Sequence, residues 1–368
     1  MCSVEGNSMS LELNHLIPEF ISKQVVTSDD FNNLALKIFK YQFDHNLPYQ
    51  HFCRSNSKTP RNVRSWSEIP PISINAFKDL SLSCIDINDC DRVFMTSGTT
   101  RQEVRGKHHH PDLNIYNLSM KSFFKEAFMK SDERVPMGIL FPSDNELPNS
   151  SLAHYLKLAV EHFGTDSSAY LMSNTGVQIE KFMEFMQFSK FYGKPIALLG
   201  ASYSFIHLFN SLKSRGLPTK FPLPSGSKIL DTGGFKGQVD QMDLSDFYSI
   251  LCSNFEVPLS SCINMYGMTE LSSQFYDLGQ DTLPSIKKAP HWVKTRVLNP
   301  ITFQECEPGN EGLLVHCDLA NINSVTTILT EDIGVRVNGG FQLLGRTKGV
   351  QARGCSLTVE NIALSQHA

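Results

Sequence analysis

Between residues 135 and 266, short apolar runs alternate with longer stretches in which apolar residues recur every three or four positions. VPMGILFPSD (135–144) is a compact run closed by turn residues and reads as a buried strand. SSLAHYLKLAVEHFG follows as a helix, with Leu152, Leu156, Ala159 and Phe163 expected inward and Gly164 as its stop. PIALLGA (195–201) then reads as a strand, SYSFIHLFNSLKSRG as a helix, KILDTGG as a strand and LSDFYSILCSNF as a helix. SCINMYGMTE adds a further strand and loop. Strands alternating with helices predict an α/β fold with a parallel, doubly wound sheet.

The flanks differ in texture. DDFNNLALKIFKYQF (29–43) carries Phe31, Leu34, Ile38 and Tyr41 on one stripe, with Asp29 or Asp30 as the expected helix cap. Residues 112–130 read as another helix, entered at Pro111-Asp112. After residue 290, WVKTRVLN, GLLVHCDLA, TTILTED and FQLLG are short strands between Gly, Asn and Pro turns. They predict a small β-rich subdomain appended to the sheet. The expected division is a core over 1–345, comprising a mainly helical stretch (1–90), an α/β sheet region (91–290) and the β-rich subdomain (291–345), followed by a short tail at 346–368.

Composition narrows the function classes. A chain of 368 residues can bury a large α/β core. Its net charge of −4 gives no global basic field for nucleic acid. No window approaches the roughly 18 consecutive apolar residues of a membrane span. The start, MCSVEGNSMSLELNH, lacks a basic segment followed by an apolar run, so the expected location is the cytoplasm. Nine cysteines stand at 2, 53, 84, 90, 252, 262, 306, 317 and 355, with no C-x-x-C. Their odd number and scatter argue against a disulfide framework or a structural zinc site.

The stretch TSGTTRQEVRGKHH (96–109) carries the first chemistry. It follows DRVFM, a predicted strand. A Gly and hydroxyl loop after a strand can wrap backbone N–H groups around phosphate oxygens. Ser97, Thr99 and Thr100 add hydroxyls, and Arg105 and Lys107 add charge. A solvated surface loop is the alternative on composition alone. The loop is not the common ATPase loop, because Gly98 and Gly106 are too far apart and His108 follows Lys107. Three adjacent histidines on regular backbone point in different directions and are not expected to ligate one ion. Gly200-Ala-Ser202-Tyr-Ser204 lacks the closing glycine of a nucleophile elbow.

The loop has company. TSGTT (96–100), YGMTE (266–270), TEDIG (330–334) and GRTKG (345–349) occur in this order, and the set resembles the core motifs of adenylate-forming enzymes. RGKHHHPDL, DTGGFKGQ, YGMTELSSQFYD, DLAN, LTEDIG and RGCSL together resemble the LuxE family of acyl-protein synthetases, from residue 90 to 358. The resemblance implies ATP-dependent conversion of a fatty acid to its acyl-adenylate. The acyl group then passes to a cysteine near the C-terminus and on to a partner acyl reductase of the LuxC type. It assigns the triphosphate to Thr96, Ser97, Gly98, Thr99 and Thr100, helped by Lys107. Tyr266 would stack on adenine beside Gly267, Thr269 would contact the α-phosphate and Glu270 would hold Mg²⁺, a hard cation suited to carboxylate oxygen. Asp332 would accept from the ribose hydroxyls, and Arg346 would contact ribose or phosphate. Gly233 and Gly234 would lie beside the nucleotide and acyl pocket, or serve turn shape alone. Cys355, in RGCSL, is the acyl carrier, and Arg353 two residues before it would lower its pKa.

The sequence departs from the wider superfamily twice. Arg101 stands where that superfamily has glycine, so it is either an added phosphate clamp or a sign of a weakened site. The usual C-terminal lid domain with its lysine is not expected after GRTKG, and Lys107 and Lys348 are the candidate replacements. Two other functions remain open at this level: an acyl- or aryl-CoA ligase using coenzyme A as acceptor, and a non-catalytic acyl-binding scaffold.

Overall fold

A computed structural model of the chain describes residues 2–97, 104–233, 242–277 and 283–346, with side chains of the first helix from residue 9 onward. The described residues form two compact units. One comprises 2–97, 104–122, 268–274 and 289–346; the other comprises 123–233, 242–267, 275–277 and 283–288.

The second unit contains the doubly wound sheet. Its strands lie in the order Phe275–Tyr276, Cys262–Tyr266, Lys228–Thr232, Ala197–Ala201, Met137–Leu140, Ala169–Tyr170. All neighbours are parallel except the short Phe275–Tyr276 strand, which runs antiparallel. The chain steps from Met137–Leu140 outward to Ala169–Tyr170. It then returns to the other side of Met137–Leu140, a reversal that places a topological switch beside Ala197–Ala201. Leu140, Leu198 and Ile229 share one face of the sheet. They pack with Phe182, Phe205, Phe209, Phe247 and Leu251 from the helices Ile179–Tyr192, Ser202–Ser214 and Leu244–Phe255. Buried strands read as near-continuous apolar runs because both faces are covered.

The helix Ser151–Phe163 corrects the expected stripe by a small rotation. Ala153, Tyr155, Leu156, Leu158 and Ala159 are buried, whereas Leu152 and Phe163 are half-buried. Gly164 does end this helix, through its N–H to the Val160 carbonyl. A Cβ there would sit 2.6 Å from the Val160 oxygen, so the glycine serves close approach rather than a left-handed turn.

The first unit joins helices to an antiparallel sheet. The helix Ser28–His45 buries Phe31, Leu34, Ile38 and Tyr41 as the stripe predicts. Its cap is Thr27, not Asp29 or Asp30. The Thr27 hydroxyl accepts from the Asp30 amide and the Asp30 carboxylate accepts from the Thr27 amide, a reciprocal capping box. The helix Asn114–Phe124 begins in this unit; its last residues, the π turn Lys125–Met129 that continues it and its stop at Lys130 in the left-handed region belong to the second. Strands Gly340–Arg346, Thr327–Val337, Glu311–Asp318 and Val293–Leu298 are consecutive antiparallel neighbours, and Ile72–Ser73 adds a parallel pairing to Thr327–Val337. A separate hairpin pairs Arg92–Met95 with Lys107–His110. Among the described residues, no helix is long and apolar enough to cross a membrane.

Candidate active site

The hairpin of the first unit presents the glycine and hydroxyl loop. Met95 pairs with Lys107 and Phe94 with His108, so the ladder ends where the loop begins. Thr96 closes the loop mouth: its N–H donates to the Gly106 carbonyl (3.0 Å) and its Oγ1 accepts from the Gly106 N–H (2.9 Å). Ser97 is exposed beyond that clasp, and Lys107 is exposed at the first position of its strand. Gly98, Thr99, Thr100 and Arg101 lie outside the described residues, as do Gly234, Lys348, Arg353 and Cys355.

The three histidines are all buried on this strand. Strand alternation places His108 and His110 on one side, with ring centroids 4.0 Å apart. His108 Nδ1 lies 2.9 Å from the Thr269 carbonyl, so Nδ1 carries the proton and donates. Burial pushes the His108 pKa down to about 4, which keeps the ring neutral.

Thr269 and Glu270 belong to the segment 268–274, which forms neither helix nor strand. Glu270 is 6 % exposed. Its Oε1 would lie 3.6 Å from a Cβ built on Gly106, which would also meet Thr96 Cγ2 at 3.2 Å. The structure therefore brings Thr96, Gly106 and the Glu270 carboxylate together at the mouth of the loop. Gly106 was not singled out by the sequence, yet it is the residue whose missing side chain makes this approach possible.

The segment is held from the turn after Glu311–Asp318. Asn321 Nδ2 donates to the Glu270 carbonyl (2.9 Å) and to the Val325 carbonyl (2.9 Å). Asp318 accepts from the Ser272 amide (2.9 Å), the Ser273 hydroxyl (2.8 Å) and the Ala320 amide (3.0 Å). Trp292 Nε1 donates to the hydroxyls of Ser119 (3.1 Å) and Ser273 (3.0 Å) behind this carboxylate. Burial raises the Asp318 pKa to about 6 against the pull of those donors. Gln42, fully buried on Ser28–His45, holds the turn in place by donating to the Asn321 and Ile322 carbonyls. DLAN and the histidine run carried the family resemblance without an assigned role; here they are structural supports of the Thr269–Glu270 segment.

Asp332 stands inside the strand Thr327–Val337, opposite Arg346. Arg346 Nε donates to Asp332 Oδ1 at 2.7 Å. The two residues assigned to ribose thus form an ion pair, with Asp332 buried and the Arg346 side chain 40 % exposed.

In the second unit, Tyr266 ends its strand packed on Phe275, ring centroids 5.5 Å apart at 52°, and Gly267 beyond it is exposed. Gly233 follows Lys228–Thr232 with φ of +80°, and among the described residues nothing lies within 4 Å of where a Cβ would stand. Its glycine answers a backbone requirement. Beneath that turn Asp231 is fully buried and accepts from Ser202 Oγ (2.9 Å), Tyr248 OH (2.9 Å) and Asn264 Nδ2 (2.8 Å). Lys287 Nζ donates to Asn264 Oδ1 (2.6 Å) and stands 3.6 Å from Asp277 Oδ2. Burial raises the Asp231 pKa to about 6 and lowers that of Lys287. Sequence reasoning missed Asp231, although it opens the quoted DTGG.

The fold is that of adenylate-forming ligases. Solved structures of 2-hydroxyisobutyryl-CoA ligase match with TM-scores of 0.66 in an open conformation and 0.67 in the thioesterification state. They are 12 % identical in sequence, cover 87 % and 88 % of this chain, and are themselves covered over 69 % and 68 %. Residues 20–364 match the family model "Acyl-protein synthetase, LuxE", and the chain belongs to that family. It is a ligase of the acyl-adenylate-forming kind. Two long-chain-fatty-acid–luciferin-component ligases are similar to it: one from Aliivibrio fischeri, 23 % identical over 90 % of this chain and 88 % of its own length, and one from Vibrio harveyi, 23 % identical over 89 % and 86 %.

Proposed function

We propose that this chain activates a fatty acid with ATP and Mg²⁺, loads the acyl group onto its own Cys355, and hands it to a partner acyl reductase. The convergence of Thr96, Gly106 and the Glu270 carboxylate at the loop mouth carries the reading. It joins two separate motifs of the family at one point, where an anion-binding loop meets a metal-binding carboxylate.

In the first step a carboxylate oxygen attacks the α-phosphorus of ATP. A new O–P bond forms, the bond to pyrophosphate breaks, and pyrophosphate leaves with its electrons. The loop from Thr96 to Thr100 and the cation of Lys107 offset the triphosphate charge. Thr269 contacts the α-phosphate, Tyr266 stacks on adenine, and the Asp332–Arg346 pair meets the ribose. Glu270 fits Mg²⁺, since one buried carboxylate plus phosphate oxygens and water is the donor set this cation takes. Bound there, it supplies charge neutralisation on the phosphates. In the second step the Cys355 thiolate attacks the acyl carbon, AMP leaves, and the thioester keeps enough reactivity for transfer to the reductase.

The test is intact-protein mass after incubation with ATP, Mg²⁺ and a panel of free fatty acids, on wild type and Cys355→Ser. An ATP-dependent gain of one acyl group, released by hydroxylamine and absent in the variant, is expected. ATP cleavage without an adduct, with acyl-CoA formed on adding coenzyme A, would replace the cysteine by coenzyme A. Neither adduct nor cleavage, with the reductase absent or present, would leave a scaffold. Within the same assay Lys107→Ala is expected to slow adenylation strongly, and unchanged turnover would remove it from the site.

A further inference from the structure

The geometry points to His108, Asn321 and Asp318 as positioning residues for acyl activation: together they fix the backbone of 269–273 so that Thr269 and Glu270 face the loop mouth. This rests on the roles proposed for those two residues. The segment 268–274 has no helix or strand of its own, so no ladder sets its place. Its fixed points come from two elements of the first unit. His108, on the strand Lys107–His110, donates to the Thr269 carbonyl. Asn321 donates to the next carbonyl, that of Glu270. Asp318 then takes the Ser272 amide and the Ser273 hydroxyl. Four of five consecutive residues are thereby held by buried partners, and the carbonyls engaged belong to the two residues given chemical roles.

The arrangement also ties loop to carboxylate. His108 is two residues after Gly106, on the strand whose start closes the loop through Thr96. A single rigid strand therefore sets both the loop mouth and, through one histidine, the height of the Thr269–Glu270 peptide. Errors of about 1 Å in such placement cost on the order of 100-fold in rate.

His108→Leu and His108→Asn separate positioning from packing. Asn places an amide N–H where Nδ1 stood; Leu does not. His108→Leu is expected to lower fatty-acid-dependent ATP–pyrophosphate exchange at least tenfold in kcat and to raise the Mg²⁺ needed for half-maximal rate, with the KM for fatty acid unchanged. His108→Asn is expected to recover most of both. Hydrogen–deuterium exchange should show amides 269–273 opening faster in His108→Leu and near wild type in His108→Asn. If His108→Leu does not fold, Asn321→Ser, which shortens the donor, carries the same two readouts. Glu270→Gln sets the benchmark. An active wild type with an inactive Glu270→Gln, but an unchanged Mg²⁺ requirement in the His108 and Asn321 variants, overturns the positioning role. A wild type without exchange activity defeats the site reading instead, while unaltered amide exchange in the variants would by itself defeat the network.

Discussion

Two fully buried carboxylates, one in each unit, solve the same problem by different means. Asp231 is held by side chains: two hydroxyls and an amide. Asp318 is held largely by main chain, through the amides of Ser272 and Ala320, plus the Ser273 hydroxyl. Burial raises both to about 6. The difference follows from what each one holds. Asp231 sits in the sheet, where its neighbours' backbone groups are consumed by ladders, so only side chains remain to meet it. Asp318 ends a strand and faces an irregular segment whose amides have no ladder, so it acts as a substitute acceptor. A hydroxyl can turn to another acceptor when its partner is lost; a main-chain N–H cannot.

That asymmetry sets the largest expected effect. Asp318→Asn must aim its amide hydrogens at a fixed amide donor on one side. It should cost about 4 kcal/mol, the sum of two unsatisfied buried groups. Asp231→Asn can turn its NH₂ toward Tyr248 OH, which accepts as readily as it donates, while Ser202 also has the Thr232 carbonyl at 3.1 Å. It should cost under about 1 kcal/mol. Urea unfolding reads this cleanly: both tryptophans, Trp66 and Trp292, lie in the first unit, so their fluorescence follows Asp318→Asn, and far-UV circular dichroism follows both units. Equal losses for the two variants would remove the distinction.

Titration sharpens the contrast. His108 has a folded pKa of about 4 against an ordinary value of 6.5. Its unfolded form therefore binds the proton first, and stability held above pH 6.5 is lost as pH falls toward 4. Asp318 and Asp231 have the opposite sign: their folded pKa is raised from 3.8, so stability declines as pH rises from about 4 to about 6 and is then flat. His108→Asn should remove about 2 kcal/mol of the loss between pH 7 and pH 5 from the fluorescence transition. His316, pushed down to about 3 by burial, stays in the variant and keeps some slope. A variant whose pH dependence equals wild type would mean that His108 titrates normally.

The legible and illegible parts of this chain divide along the same line. Helix and strand succession in the second unit was readable from apolar period, because strands covered on both faces and helices covered on one leave strong marks. The Ser28–His45 stripe was readable too, but its cap was not: Thr27 lies before the acidic pair that drew attention, and the box needs both ends. Thr96 and Glu270 stood out through motif order. Gly106, His108 and Asn321 did not, because their roles depend on contacts over 10, 161 and 51 positions of sequence, for which no local pattern exists. The histidine run was not expected to ligate one ion, and nothing local said what it does instead. Strand alternation plus burial turned it into packing and one directed hydrogen bond.

Two glycines give the smallest and most discriminating comparison. Gly233 has φ of +80° with nothing among the described residues within 4 Å of a built Cβ, so among them its constraint is backbone alone. Gly106 has no positive φ, but a Cβ would press on Thr96 at 3.2 Å and Phe77 at 3.4 Å, so its constraint is space alone. Substitution by Ala and Asn should therefore rank in opposite orders. At 233, Ala should cost about 1 kcal/mol and Asn less, because Asn tolerates the left-handed region. At 106, Ala needs its neighbours to yield by a few tenths of an ångström, while Asn carries three further heavy atoms toward Glu270 and should cost more. The Gly106 pair is read by tryptophan fluorescence and the Gly233 pair by exchange of the Lys228–Thr232 amides. The same rank order at both positions would mean that one glycine has been misjudged. If Asn is the worse choice at 233, its space is occupied by something other than the described residues. If Asn is the better choice at 106, the loop mouth is wider than the Thr96–Gly106 clasp implies, and Glu270 stands further from the loop than the proposed chemistry requires.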